Sequence, residues 1–204
     1  MTPGSRRQVS VAHQTPLADT ARRPPPARTS RLLGRLAIVV VLGFVVASLL
    51  TARLFVWPSL PTLPAHADAI IELAGPGDRD VTALRLARNH VAPLVIQSTL
   101  PGDATSNTCL PAVRGITVEC FSPIPATTRG EARWIGRRAS EEHWTSVILV
   151  TTPDQAWRAR LRVQRCFPGT VYVATTPLPV RQWPRQIAYQ WGATFKAEAL
   201  QREC

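Results

Sequence analysis

The chain has 204 residues and a hydrophobic content of 45%, enough for one folded domain of ordinary size with an appendage. Its formal net charge of +11 is typical of a nucleic-acid-binding protein. However, eight of the 24 basic residues and only one of the 13 acidic residues lie in the first 53 positions, which leaves sixteen basic and twelve acidic residues, a net charge of +4, for the rest. This distribution argues against nucleic acid as a partner of the folded domain.

Residues 1–31 form a basic segment in which arginines accompany the Pro24-Pro25-Pro26 run and no apolar period is visible. Such a segment cannot bury enough apolar surface to offset the entropy of ordering it. We therefore predict a disordered tail.

An apolar segment follows, because the seventeen residues from Leu36 to Ala52 carry no charge. Extended through Trp57, the run has 22 residues. As an α-helix it would be about 33 Å long, which is enough to cross a bilayer core. We predict a transmembrane helix over 32–57, with Arg53 and Trp57 near its far end. The arginines before the helix predict a cytoplasmic N-terminus and a domain on the extracytoplasmic side of the cell membrane. A cleaved signal peptide is the alternative, and 65–67 (Ala-His-Ala) resembles a cleavage site.

The remainder of the chain alternates between strand and helix patterns. Residues 58–66 are rich in proline and predict a semi-rigid stalk, and the folded domain should occupy 67–204. The predicted strands are 69–74, 94–98, 116–120, 147–150 and 171–175, and predicted helices include 128–142, 153–166 and 183–200. This alternation predicts a Rossmann-like α/β fold, a mostly parallel open sheet with helices on both faces.

The stretch from Ser146 to Cys166 is central to this prediction. Its apolar run predicts a strand buried on both faces. Thr152 is placed to cap the following helix, Pro153 suits its first turn, and Asp154 lies near its positive end. A buried strand that turns directly into a capped helix predicts a ligand crevice at that point.

Four cysteines, Cys109, Cys120, Cys166 and Cys204, all lie on the predicted outer side, where disulfides persist. Of the three pairings that four cysteines allow, we favour Cys109 with Cys120 and Cys166 with Cys204. A zinc site is the alternative, but no C-x-x-C or His-x-His spacing supports it, and we predict no metal.

Several polar groups follow the predicted strands, at the ends that meet along one edge of a parallel sheet. Gly75 and Gly77 supply flexible backbone, and Arg79, Arg129 and Arg158 supply guanidinium groups beside helix N-termini. Guanidinium groups and helix N-termini favour an anionic ligand such as phosphate or carboxylate. The sequence therefore predicts an anion-binding mouth formed by three arginines.

Each of these groups also has a purely structural interpretation. Thr128 and Glu131 have the T-x-x-E spacing of a capping box, so that Glu131 would only close a helix end. Asp78 and Arg79 could pair at a loop surface, and Arg158 could be a solvated helix residue. The sequence contains no G-x-S-x-G nucleophile elbow, no H-E-x-x-H zinc-protease motif and no phosphate-binding Walker loop.

The motifs ADAIIELAG, TTRGEAR and VILVTT, with the helix WRAR, resemble as an ordered set those of the YdcF-like family. The resemblance covers 67–204 and is greatest to an actinobacterial, membrane-anchored branch of the SanA and ElyC type. It implies a Rossmann-like fold with a ligand pocket at the strand ends, and a role in cell-envelope or peptidoglycan biogenesis. One characterised type of member binds S-adenosylmethionine, so the resemblance admits that cofactor.

The resemblance also assigns site residues by position. The matching positions are Gly75, Gly77, Asp78, Arg79, Thr128, Glu131, Thr151, Thr152 and Arg158. The chain departs from the family at Gln155, where a histidine is usual, and at Gln190, where a glutamate is usual. Glutamine cannot transfer protons near neutral pH, so both departures favour binding over catalysis.

Three functions therefore remain open from the sequence. The first is an anchored envelope protein that binds a small anionic or lipid-linked ligand, phosphate-like or nucleotide-like. The second is a hydrolase or transferase that acts on an envelope precursor. The third is a non-catalytic assembly factor that contacts other envelope proteins.

Overall fold

The computed structural model describes residues 28–99 and 109–204, so the predicted tail lies almost entirely outside the described residues. Helix α1, Arg28–Thr51, begins four residues inside the segment predicted to be disordered and continues as a π-helical turn, Ala52–Val56. Residues Leu32–Val56 are long and apolar enough to span a membrane, and the most apolar stretch is fully unburied. This suggests a membrane anchor, as the sequence predicts. The chain forms two compact units, and the boundary between them lies within this helix, after Gly43.

The second unit contains a sheet of five strands. They are β1 (Ala69–Glu72), β2 (Leu94–Ser98), β3 (Thr117–Phe121), β4 (Ser146–Thr151) and β5 (Thr170–Thr175). Every neighbouring pair is parallel, and the order is β3-β2-β1-β4-β5. The predicted Rossmann-like α/β fold is therefore confirmed, with strand bounds that differ from the prediction by at most two residues.

Helices cover both faces of this sheet, as predicted. They are α2 (Arg79–Arg88), α3 (Thr128–Glu141), α4 (Pro153–Gln164) and α5 (Trp183–Phe195), the last extended by a π-helical turn, Lys196–Leu200. Because successive strand residues point to opposite faces, Ile71 and Leu149 pack with α3 and α4, whereas Ile70 and Ile148 pack with α2. Helix α5 packs on α4 and forms an outer wall.

Both favoured disulfides are present. Cys109 is bonded to Cys120, which joins the segment before β3 to β3 itself, and Cys166 is bonded to Cys204, which joins the end of α4 to the segment after α5. No cysteine of the described residues is free. The second bridge holds the C-terminal segment beside the helix that forms one side of the crevice.

The strand order fixes where a ligand can enter. The chain builds outward from β1 to β2 and β3, then crosses back through α3 to add β4 and β5 on the other side of β1. The carboxyl ends of β1 and β4 are therefore the point at which the winding direction changes, and crevices in open α/β sheets form there.

Candidate functional site

A cavity of about 470 Å³ lies at this carboxyl edge. Its wall comes from the loop after β1, the start of α3, the first two turns of α4 and one flank of α5. The lining residues are Ala74, Gly75, Pro76, Pro123, Ala126, Thr127, Thr128, Glu131, Gln155, Arg158, Arg185, Gln186, Tyr189 and Gln190. Five of the residues predicted for the site, Gly75, Thr128, Glu131, Gln155 and Arg158, thus meet in one cavity.

Arg79 lies beneath the cavity and binds the protein itself. Its side chain is 1% exposed, and each of its five N–H donors has a protein acceptor within range. The acceptors are the carbonyl oxygens of Pro76, Leu73 and Ala74, at 3.0, 2.7 and 2.8 Å, and the side-chain oxygens of Thr152 and Gln155, at 3.2 and 3.0 Å. Burial lowers the pKa of Arg79, while Glu131 and Asp154 oppose that effect. Arg79 is therefore a brace for the loop after β1, with no donor left for a ligand.

The two glycines of this loop allow the chain to wrap around that brace. Gly75 has a φ of +139°, and a Cβ there would lie 2.7 Å from Nη2 of Arg79. Gly77 has a φ of +97°, and a Cβ there would lie 2.8 Å from Cγ2 of Thr152. Their role in this structure is close packing against Arg79 and the start of α4.

Glu131 does not close a capping box, so that interpretation of the sequence is wrong. The N-cap of α3 is Thr127, whose hydroxyl accepts a hydrogen bond from the N–H of Gly130, one residue earlier than the T-x-x-E spacing indicates. The Glu131 carboxylate instead accepts a hydrogen bond of 2.8 Å from the N–H of Ala74. Burial raises the pKa of Glu131, although this N–H and the charges of Arg79 and Arg158 counteract the rise. The cavity thus contains a buried carboxyl group.

Gln155 connects the brace to the start of α3. Its amide oxygen accepts from Arg79, and its amide nitrogen donates to the hydroxyl of Thr128 at 3.3 Å. Thr152 is the N-cap residue of α4, as predicted, but its hydroxyl serves Arg79 and makes no capping hydrogen bond. Thr151 is fully buried, and its hydroxyl has no partner among the described residues.

Arg158 differs from Arg79, because most of its donors are unused. Its residue is 6% exposed, yet the side chain lines the cavity. Nε donates to Gln190 at 2.8 Å, and the guanidinium carbon lies 5.8 Å from the ring centroid of Tyr189. Gln190 in turn donates to Asp154 at 2.9 Å. Within the described part of the chain, the two terminal nitrogens of Arg158 make no hydrogen bond, so they remain available to a ligand.

Besides Arg79, Thr151 and Thr152, three further predicted site residues do not line the cavity. Arg129 points away from the cavity, toward the carbonyl oxygen of Cys204 at 3.1 Å, since it occupies the outer flank of α3. Asp78 is exposed and contributes its backbone carbonyl to the hydroxyl of Thr176 at 3.0 Å. Gly77, in the loop after β1, packs against Thr152. The predicted cluster of Arg79, Arg129 and Arg158 around one mouth is therefore wrong: only Arg158 faces the cavity with free donors.

The residues that sequence reasoning missed lie on α5. Arg185, Gln186, Tyr189 and Gln190 recur at helical spacing and form one wall of the cavity. That spacing was visible in the sequence, but nothing in it indicated that this flank faces α4.

Comparison with models of known protein families, with curated proteins and with solved structures finds no match for this chain. Among the described residues, no group of three or more histidine, cysteine, aspartate or glutamate side chains could hold a metal ion.

Proposed function

We propose that the extracytoplasmic domain binds a small molecule through an anionic group, a phosphate or a carboxylate, in the cavity at the carboxyl edge of the sheet. The observation that carries this proposal is the state of Arg158. Its guanidinium group is buried in the wall, fixed through Nε by Gln190, and keeps both terminal nitrogens free of described protein partners. A buried guanidinium fork with unused donors matches the two oxygens of a phosphate or carboxylate.

The surroundings of Arg158 support an anion in the same place. Arg185 adds a second, exposed guanidinium at the cavity wall, and the positive end of α3 reaches the cavity through Thr127 and Thr128. Glu131 is the opposing charge, but its carboxylate is held by the N–H of Ala74. The lining also includes proline, alanine and tyrosine side chains, which suit the apolar part of a ligand.

Ligand-dependent thermal unfolding of the full chain in detergent tests this proposal. The probes are inorganic phosphate, pyrophosphate and a nucleoside diphosphate, with the corresponding uncharged nucleoside as the negative control. We expect at least one anionic probe to raise the melting temperature, and Arg158→Gln to abolish that shift. The matched control is Arg137→Gln on the exposed face of α3, which should leave the shift unchanged. No shift with any anionic probe, or an equal shift in Arg158→Gln, would contradict the proposal.

A second candidate function is a hydrolase or transferase, and Glu131 favours it. A buried carboxyl group with a raised pKa, in the same cavity as a free guanidinium, is typical of a general acid or base. Gln155 argues the other way, because its amide only connects Arg79 to Thr128 and transfers no proton. The two functions separate in Glu131→Gln, which can keep the hydrogen bond from Ala74. A binding protein should retain its probe-induced shift, and an enzyme should lose product formation measured by chromatography.

The proposed location is the extracytoplasmic side of the cell membrane, with the N-terminus cytoplasmic. The arginines before the apolar helix and the two disulfides support this topology. The envelope role rests on the resemblance to the YdcF-like family, and both the role and the family assignment stay predictions. Proteolysis of intact spheroplasts carrying a C-terminally tagged chain should remove the tag from the membrane fraction. A protected tag would contradict the topology, and a shortened soluble product would indicate a cleaved signal peptide.

A further inference from the structure

Helix α5 has two different flanks, and only one of them belongs to the cavity. The other flank consists of Pro184, Ala188, Trp191 and Phe195, spaced by four, three and four residues, which we name the α5 stripe. All four residues are apolar and exposed, and Phe195 is 66% exposed. Exposed apolar patches mark sites of interaction with proteins or membranes.

The end of the apolar helix contacts this stripe directly. Phe55 is fully buried and packs edge-to-face on Trp191, with ring centroids 5.3 Å apart. The indole N–H of Trp191 donates to the hydroxyl of Thr51 at 3.0 Å. The chain after the helix stays near the domain as well, because Leu60 packs against the core under α3 and α4. The last turns of the helix are therefore part of the folded domain.

This contact fixes the level of the stripe relative to a bilayer. A bilayer core takes about 20 helical residues, and counting from Leu36, the first residue after Arg35, reaches Phe55. Phe55 then lies at the outer edge of the hydrocarbon, and Thr51 lies one helical turn inside it. Trp191 contacts both residues and therefore lies at this edge. Tryptophan is enriched at that depth, and the aromatic ring of Phe195 is one helical turn further along the same flank.

We propose that the α5 stripe is a membrane-docking surface that rests in the outer interface of the bilayer, so that the domain lies against the lipid and does not hang from a stalk. The occupant of the stripe is the acyl-headgroup boundary of the surrounding lipid. Lys196 directly follows Phe195, and Arg53 lies two residues before Phe55, so both cations are placed to contact lipid phosphates. One face of the cavity wall is then attached to the membrane.

Depth-dependent quenching tests this inference on the full chain in lipid nanodiscs that hold one copy each. The four native cysteines are all in disulfides, so a fluorophore can be attached to a single new thiol in Phe195→Cys. The matched control is Val81→Cys on α2, across the sheet, because Val81 is also 66% exposed. We expect lipids with a spin label near the headgroup to quench the fluorophore at position 195 several-fold more strongly than at position 81.

Equal quenching at the two positions would overturn the inference and leave a protein partner as the occupant of the stripe. A second measurement needs no substitution: hydroxyl-radical footprinting of the native chain in the same nanodiscs. In nanodiscs, Phe195 should be modified several-fold less than in the unfolded chain without detergent. The exposed Ile124 should be modified to the same extent in both states. Equal modification of Phe195 and Ile124, after correction for their intrinsic reactivity, would also overturn it.

Discussion

The amide oxygen of Gln190 accepts a hydrogen bond of 2.8 Å from Nε of Arg158. The other end of the same amide donates to Asp154, so one neutral side chain connects a buried cation to a buried acid. An ionised glutamate at this position could accept from Arg158 but could not donate to Asp154. Glutamine at position 190 therefore matches the acid that faces it.

Removal of this amide should destabilise the domain. Gln190→Ala leaves Nε of Arg158 and a carboxylate oxygen of Asp154 without partners, and each unsatisfied buried group costs about 1–3 kcal/mol. We expect the free energy of unfolding, measured by urea denaturation with tryptophan fluorescence, to fall by about 2 kcal/mol or more. Gln164→Ala, at an exposed position of α4, is the control and should change stability little. An equal effect of the two substitutions would show that the hydrogen bonds of Gln190 to Arg158 and Asp154 contribute nothing to the free energy of unfolding.

Arg79 should resist replacement even by lysine. Arg79→Lys keeps the charge but offers three donors from one point, so it cannot reach the three carbonyls and two side chains that the guanidinium contacts. We expect a loss of about 3 kcal/mol in the free energy of unfolding, because at least two buried acceptors lose their partner. Arg88→Lys, exposed on the same helix, should be neutral. If Arg79→Lys unfolds at the same urea concentration as the parent, the brace is not a source of stability.

Glu72 predicts how stability depends on pH. Burial, and then the neighbouring Asp80, raise the pKa of Glu72 from 4.5 to about 8, against smaller opposite effects of Gln97 and Arg79. Because the folded state holds this proton more tightly than the unfolded chain, the contribution of Glu72 to stability is greatest below pH 4.5 and is lost as the pH rises to about 8.

Glu72→Gln should remove this dependence. The variant should be more stable than the parent at pH 8 and differ less from it at pH 5, since the amide carries no charge to bury. Melting temperatures at the two pH values measure the effect. A constant difference between variant and parent at both values would show that Glu72 does not titrate in this range.

The two disulfides should contribute unequally. Cys166 and Cys204 are separated by 38 positions, whereas Cys109 and Cys120 are separated by 11. Loop-closure entropy then assigns about 4 kcal/mol to the first and about 3 kcal/mol to the second. We expect the double substitution Cys166→Ser/Cys204→Ser to lower the free energy of unfolding more than Cys109→Ser/Cys120→Ser does, by denaturation under non-reducing conditions. The reverse order would contradict the entropic account.

The sequence was sufficient to predict the layered fold. Continuous apolar runs such as 147–150 occur in strands buried on both faces, and the Thr152-Pro153 pair marks the start of a helix. The disulfide pairing was also predicted, because the predicted outer location favours disulfides and four cysteines allow only three pairings. These features depend on local patterns or on simple counting.

The site was only partly predictable, because the direction of a side chain depends on its surroundings. Nothing in the sequence distinguishes Arg79, Arg129 and Arg158, yet the structure gives each a different environment. Arg79 donates to backbone carbonyls, Arg129 faces the C-terminal segment, and Arg158 faces the cavity. Glu131 shows the same effect at the level of one residue: the cap is Thr127, which turns the carboxylate toward β1. Neither outcome follows from spacing alone.

The saturated guanidinium of Arg79 has a practical consequence for the study of ligands. The hydrogen bonds of Arg79 hold the loop after β1 in one conformation, so this part of the cavity is preorganised before a ligand binds. Fragment soaking into guest-free crystals should therefore succeed without cracking them, and association should proceed without a slow rearrangement phase in stopped-flow traces.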